Sequence, residues 1–371
     1  MKILITDSLL RKTFDLVNIL LKNFDEEAII FSSDHSLNKI EKIYNTKNIY
    51  LLRKNFFDID LKIISERYKN ESIIYFPIEE NTTIHFYKFL IKYGDENFKY
   101  LLPSFESFNL SRNKNDLNIF CENNKIPCPK YYSKQKIYNN NFDYPLILKP
   151  KIGSGSEGIK FIKSKSELII NKIDFKNYFI QELLDNPRDI KAGFFICKEG
   201  QIISFYSHQR IRTFPEQGGV SLYSKSDLNH EIKSAGKDII KKLNWTGFIM
   251  IEYLQDLSTN KFKLIEINPR LWGSILLSEF NNANFTSLYI SLCLDQQISP
   301  NAVKSDKFIR WIFPFEIINF FKNPENPLKF FKIKEDTCYV NFTYSNPMKS
   351  FRFIFFTYFN YKKLKQKLFN G

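Results

Sequence analysis

The stretch Gly247–Ser274, GFIMIEYLQDLSTNKFKLIEINPRLWGS, decides how the chain is read. In Phe248-Ile249-Met250-Ile251-Glu252-Tyr253 the even positions share one face of a strand and the odd positions the other. Leu264, Glu266 and Asn268 share a face in the same way. The residues between, Leu254 to Lys261, are polar and turn-rich, which predicts an antiparallel hairpin. Glu252 and Glu266 then sit side by side on neighbouring strands in otherwise apolar sequence. Two carboxylates that close repel, and burying them is costly unless a cation lies between them. Two acids and an amide carbonyl are oxygen-only ligands, which suit magnesium better than zinc. A pair of solvated acids on an outer face is the simpler alternative. Asn268-Pro269-Arg270, directly after the second acid, argues against it: the proline ends the strand, and Asn268 and Arg270 leave the sheet near the same spot.

Working outward, Tyr144–Pro150 predicts a short buried strand that delivers Lys149 to the start of a loop with Gly153, Ser154, Gly155 and Gly158. The chain has 12 glycines, and three of them fall within six positions here. Such a loop lets backbone N–H groups approach phosphate oxygens closely. It is not a P-loop, because G-K-[ST] is absent and the lysine precedes the glycines. An ordinary hairpin turn into a strand at Ile159–Ile162 accounts equally well for the glycines alone; Lys149 just before them favours phosphate. Earlier, Ser111–Asp116 opens an amphipathic helix over Leu117–Asn123. A lysine in a first turn opposes the helix dipole, which gives Lys114 a reason to serve elsewhere. Tyr178–Asp185 predicts another strand, carrying Gln181, Glu182 and Leu184 and leading to Asp189. Arg210 and Arg212 are expected on one strand face, where two guanidiniums repel unless an anion lies between them; a solvated edge strand is the alternative. Gly218-Gly219 follows them as a loop.

Residues 1 to about 108 alternate short apolar strands with helical patterns, which predicts βαβ units and a parallel sheet. The first turn is Thr6-Asp7-Ser8, and Gly94 is the sole glycine of the first 150 residues. A dinucleotide site of the G-x-G-x-x-G kind is therefore excluded, and the unit is expected to form one wall of a cleft. Glu79 or Glu80, after the strand ending near Phe76, could meet a substrate, though a solvated loop is the default expectation.

Composition narrows the class. The five cysteines form no C-x-x-C pair and the histidines number four, so neither a zinc site nor a disulfide framework is indicated and a reducing cytoplasm fits. The start shows no leader pattern, and no apolar run approaches the roughly 20 residues needed to span a bilayer. The net charge of +14 is uneven: from Ser299 onward 13 Lys+Arg face 5 Asp+Glu. With no nucleic-acid motif present, a basic tail on a Lys-, Asn- and Ile-rich enzyme is the expectation, and no nucleic acid is expected as partner. Within that tail Lys349–Gly371 carries six basic residues, no acids and eight aromatics. It suits either docking of its aromatics on the protein body, which is the expectation, or peripheral contact with an anionic inner-membrane surface through Lys362, Lys363, Lys365 and Lys367.

Taken together these residues resemble the ATP-grasp superfamily of ligases, in its branch similar to carbamoyl phosphate synthase large-chain domains and carboxylate–amine ligases. The resemblance covers about Ser111 to Leu294, with five motifs in the family's order: Lys114; Lys149 with the glycine loop; Gln181-Glu182-Leu183-Leu184; Arg210 to Gly219; and Glu252 with Glu266-Ile267-Asn268-Pro269-Arg270. It implies a mixed α/β and α+β chain. A Rossmann-like preATP-grasp domain occupies 1–108. An ATP-grasp domain follows at 109–298, in halves 109–180 and 181–298, with ATP held between antiparallel sheets. A basic aromatic extension takes 299–371. It further implies that Lys114, Lys149 and the loop of Gly153, Ser154, Gly155 and Gly158 hold ATP phosphates. Gln181, Glu182 and the backbone of Leu184 meet adenine, and Asp189 the ribose. Glu252, Glu266 and Asn268 hold two Mg²⁺ ions, with Mn²⁺ an admissible substitute. Arg270, with Arg210 or Arg212, stabilises the anionic intermediate. The implied reaction joins a small carboxylate to an amine. Carbamate- or thiol-directed ligation and a non-catalytic ATP-binding regulatory role are the alternatives, and a dimer is compatible with the sequence.

Overall fold

The computed structural model describes the chain except for residues 35, 95–96, 140–143, 154–157, 171–172, 185–188, 215–219, 323–326, 343–345 and 359–371. The amino-terminal strands are β1 (Lys2–Ile5), β2 (Ile29–Ser33), β3 (Ile49–Leu51), β4 (Ile73–Tyr75) and β5 (Phe98–Lys99). They form a parallel sheet in the order β3-β2-β1-β4-β5. Ile3, Leu4 and Ile5 are fully buried, as are Ile29, Ile30 and Phe31. Continuous apolar runs of this kind belong to strands covered by helices on both faces.

A four-stranded antiparallel sheet follows, from β6 (Tyr131–Tyr132), β7 (Leu146–Pro150), β8 (Lys160–Ile162) and β9 (Tyr178–Glu182), in the order β6-β9-β7-β8. The remaining strands are β10 (Lys191–Lys198), β11 (Gln201–Phe214), β12 (Val220–Ser226), β13 (Gly247–Asp256), β14 (Lys261–Asn268), β15 (Phe308–Arg310) and β16 (Thr337–Tyr339). They make a seven-stranded sheet ordered β14-β13-β10-β11-β12-β15-β16. The fold is thus mixed α/β with one parallel and two antiparallel sheets. Residues beyond 298, expected as an extension, supply β15 and β16 to the largest sheet.

The parallel sheet and the large sheet share one core. Ile3, Phe31 and Phe76 lie in the same buried cluster as Phe194, Trp272 and Tyr289. Tyr289 donates to the carbonyl of Tyr75 at 2.7 Å and accepts from the Leu101 amide at 3.2 Å, and the Leu271 amide donates to the carbonyl of Pro77 at 2.8 Å. Gly247, which opens β13, has φ 93°, and a Cβ there would lie 2.2 Å from the Leu101 carbonyl oxygen. Only glycine lets the hairpin start against the segment that leaves the parallel sheet.

The tail helix Pro347–Tyr358 packs on the helix Leu37–Tyr44. Phe353 is fully buried with its ring centroid 4.3 Å from that of Phe14, and Lys349 lies over the Tyr44 ring at 5.4 Å. Part of the aromatic segment therefore docks, while Phe351 and Phe355 stay exposed. Lys362, Lys363, Lys365 and Lys367 lie outside the described residues. Among the described residues no helix is long and apolar enough to cross a membrane.

Candidate active site

β13 and β14 pair antiparallel, with Glu252 directly opposite Glu266. On its other side β13 pairs with β10, which places Ala192 beside Glu252. That small residue leaves room for Arg210, reaching across from β11, to ion-pair with Glu252. Glu252 is buried. Its carboxyl is held up by burial; Arg210 opposes this and the neighbouring Glu266 adds to it. For Glu266 burial also pushes upward, but Lys114, the Asn268 amide and Lys149 outweigh it and the carboxyl is held down. The Asn268 amide donates to Glu266 Oε1 at 3.0 Å, and Arg270 donates to Asn268 Oδ1 at 3.1 Å. Glu252, Glu266, Asn268 and Arg270 are thereby linked through one another or through the strand pairing, as the hairpin reading expects.

The phosphate-side lysines converge on the same pair. Asn113 caps the helix Lys114–Asn123 by accepting from the amides of Asn115 and Asp116, which makes Lys114 the first helical residue, three earlier than the expected Leu117. Its ammonium lies 3.3 Å from Glu266 and donates to the carbonyl of Gly153 at 2.5 Å. Lys149, on β7, is half-buried. Burial lowers its ammonium to about 8, opposed by Glu266 and assisted by Lys114. Gly153 and Gly158 have φ 151° and 77°, and a Cβ on Gly158 would sit 3.2 Å from the Tyr178 hydroxyl. Ser154 and Gly155 lie outside the described residues.

Further along, the residues expected around adenine are engaged with the protein. Glu182 Oε1 accepts from the Lys130 amide at 2.9 Å and from Lys263 at 2.7 Å, and Lys263 also pairs with Asp256 at 3.0 Å. Gln181 is buried with Oε1 lacking a protein partner, and Leu184 is buried. Asp189 Oδ1 accepts from Gln209 at 3.3 Å.

The structure revises one reading. Arg210 and Arg212 were expected to share a strand face around one anion. A bulge between them, at Ile211, breaks the alternation. Arg210 goes to Glu252, whereas Arg212 pairs at 3.1 Å with Glu316, a fully buried acid from beyond β15. Glu316 also receives Arg310 at 2.7 Å.

The amino-terminal unit closes the cluster from above. Arg270 lies 3.6 Å from Glu80 and 3.9 Å from Glu79; Arg112 pairs with Glu80 at 3.2 Å and Lys12 with Glu79 at 2.6 Å. Lys12 also donates to the carbonyl of Leu271 at 3.0 Å. Burial, with Arg270 adding, lowers the Lys12 ammonium to about 8, against the pull of Glu79. Lys12, Arg112, Lys263 and Glu316 had escaped the sequence reading. Only Lys12 carried the signal that had marked Lys114, a lysine in the first turn of a helix, here Arg11–Leu20.

The donor set fits a hard dication. Glu252, Glu266 and the Asn268 carbonyl are all oxygens, and among the described residues no group of three His, Cys, Asp or Glu offers a softer site. A dication between the two acids would also relieve the repulsion that helps hold the Glu252 carboxyl up.

Comparison with known proteins agrees with this geometry. Residues 111–274 match the family model described as an ATP-grasp domain. Pyruvate carboxylase of Bacillus subtilis (strain 168) is 26% identical over 142 residues, covering 34% of this chain but 12% of that protein. The biotin carboxylase domain of Hydrogenobacter thermophilus 2-oxoglutarate carboxylase, solved as a dimer with MgADP, ADP and bicarbonate, superposes with a TM-score of 0.63 at 14% identity. That match covers 83% of this chain and 73% of that one. N5-carboxyaminoimidazole synthetase of Staphylococcus aureus, complexed with ADP, gives 0.62 at 16% identity, with 83% and 80% covered. At these identities the structural likeness establishes a shared fold. Residues 111–274 of this chain thus resemble an ATP-grasp domain.

Proposed function

We propose that the chain is an ATP- and magnesium-dependent ligase that activates a small carboxylate as an acyl phosphate and joins it to an amine, releasing ADP and phosphate. The carrying observation is the Glu252–Glu266 pair set opposite Lys114, Lys149 and Arg210, a two-acid cradle inside a surplus of cations. Such a site suits a metal-bound polyphosphate. Glu252, Glu266 and Asn268 would hold the magnesium, which when bound supplies charge neutralisation on the β- and γ-phosphates.

The residues of the chain do the rest by position. Lys114 bridges the Gly153 carbonyl and Glu266 and is placed to turn toward phosphate oxygens. Lys149, kept poorly solvated, gains charge stabilisation when a phosphate arrives. Arg270 stands between the hairpin and Glu79 and Glu80, where carboxylate and amine would meet. The carboxylate oxygen forms a bond to the γ-phosphorus as the bond to the β-phosphate oxygen breaks and ADP leaves. The amine nitrogen then bonds to the acyl carbon, phosphate leaves, and the nitrogen gives up one proton. Guanidinium groups near the acyl carbon stabilise the charge that builds on its oxygen. Gln181, Glu182 and Leu184 would border adenine, and Asp189 the ribose. A homodimer, as in the biotin carboxylase domain, is part of this reading.

Incubation with ATP, Mg²⁺ and a panel of amino acids and amino sugars, followed by mass spectrometry, tests it. Release of ADP and phosphate with an amide product supports the proposal. AMP and pyrophosphate as products would sink it. A second reading has its own support: the relatives include carboxylases, one of them solved with bicarbonate. Bicarbonate-stimulated ADP release without any organic acid would favour that carbamate-type chemistry instead.

A further inference from the structure

The parallel sheet carries a cavity of about 550 Å³, and none of the residues lining it belongs to the cluster around Glu252 and Glu266. It lies beyond the carboxyl ends of β1, β2 and β3, with Phe356 and Thr357 of the tail helix forming part of its wall. The carboxyl ends of strands are where open α/β sheets hold ligands, and the volume falls within the roughly 300–1,000 Å³ of small-molecule sites. A dinucleotide does not fit its chemistry. The turn after β1 offers Asp7 where a pyrophosphate would need glycine amides.

The lining carries two carboxylates, Asp7 and the exposed Asp34, and two lysines, Lys39 and Lys54. The Asp7 carboxyl accepts from Thr82 Oγ1 at 2.8 Å. The Thr6 hydroxyl lies beside it, outside hydrogen-bond geometry. The Thr6 and Thr357 hydroxyl oxygens are both buried and lack a protein partner. Polar atoms of this kind are costly to leave unsatisfied. Asp34 accepts from Ser33 Oγ at 3.5 Å, while Lys39, half-buried, and Lys54, exposed, have no carboxylate partner among the described residues. The His85 ring packs against Phe57 at 5.3 Å as part of an apolar wall. Burial, partly offset by Thr82, raises the Asp7 carboxyl to about 6, so its charged form would be favoured by a further cation placed next to it.

We propose that this cavity binds a small zwitterion of the amino-acid class, its ammonium on Asp7 and the threonine hydroxyls and its carboxylate toward Lys39 and Lys54. The inference rests on the cavity alone and stands whether or not the chain is a ligase. Occupancy is expected to reach the other site, because the Glu79 carbonyl, 3.0 Å from Thr82 Oγ1, is the alternative acceptor for that hydroxyl's one proton, and Glu79 pairs with Lys12.

Calorimetric titration of the full chain, without ATP, with each of the twenty L-amino acids tests the proposal. At least one is expected to bind, with its carboxamide and its decarboxylated amine each ten or more times weaker. The double variant Lys39→Ala/Lys54→Ala should weaken that binding at least tenfold while circular dichroism and magnesium–ATP affinity stay unchanged. Thr357→Val should weaken it a few-fold. Failure of all twenty to bind overturns the proposal. So does binding that survives the double variant, or inorganic phosphate binding as tightly as the best amino acid.

Discussion

Two clusters of opposite charge sit on the same large sheet and behave differently. Around the hairpin, Glu252 and Glu266 face each other and draw in Lys114, Lys149 and Arg210 from three other elements. Around β15, a single fully buried acid, Glu316, is held by Arg212 and Arg310, and Arg310 also donates to the Phe330 carbonyl at 2.6 Å. The second cluster is closed: its acid is spent on its own arginines, and it ties the C-terminal strands to β11. The first is open: Lys114 is shared between an acid and a loop carbonyl, and both acids share a site that a further cation would ease. A buried acid with fixed partners suits a structural role, while repelling acids beside shared cations suit a ligand site.

The sharpest way to break that contrast is to remove Glu316. Glu316→Ala leaves two guanidiniums without their acid and should cost on the order of 3–5 kcal/mol of stability, read by denaturant unfolding. A loss below about 1 kcal/mol would mean that the cluster is not closed. Next in size is Glu266→Gln, which should lower turnover by about a hundredfold or more, because metal-assisted transfer loses several kcal/mol when the ion is misplaced. Its stability should change little. If instead it unfolds the protein as Glu316→Ala does, the two clusters are of one kind.

A pH series probes the open cluster through Lys149. Its folded-state ammonium, near 8, lies below the ordinary 10.5, so the unfolded chain binds more protons between those values and stability from this group rises with pH across that window. Nucleotide affinity should run the other way. Phosphate favours the charged ammonium, so binding should weaken as pH climbs past about 8, and Lys149→Arg should flatten the profile. Affinity that is level from pH 7 to 9 in the parent protein would remove Lys149 from the phosphate site. The smallest effect belongs to Lys263→Ala. Its pairs with Glu182 and Asp256 are partly exposed, so the loss should stay near or below about 1 kcal/mol. A larger loss would place a second closed cluster beside the open one.

Local chemistry was legible in the sequence where period and residue type coincided. The two-residue alternation put Glu252 and Glu266 on facing positions, which the structure pairs despite a register shift just after Glu252, and the first-turn position of Lys114 marked it for a role outside its helix, expected on phosphate. The apolar runs of β1 to β4 likewise announced a parallel sheet. What stayed hidden depended on long-range closure. Glu316 follows Arg212 by about a hundred residues, and nothing near it in sequence marks an acid destined for full burial. The bulge at Ile211 is one extra residue in a strand, invisible to a count of alternate positions. Lys12 reaches the Leu271 carbonyl, and Arg112 reaches Glu80, where the parallel sheet packs against the large sheet and Leu101 meets Gly247.

The open cluster stands or falls on its need for a dication. Calorimetric titration of the full chain with a non-hydrolysable ATP analogue, with and without Mg²⁺, measures that need directly. The account expects binding with Mg²⁺ and at least tenfold weaker binding without it, the difference vanishing in Glu252→Gln/Glu266→Gln. Equal affinity in the presence and absence of Mg²⁺ would contradict it.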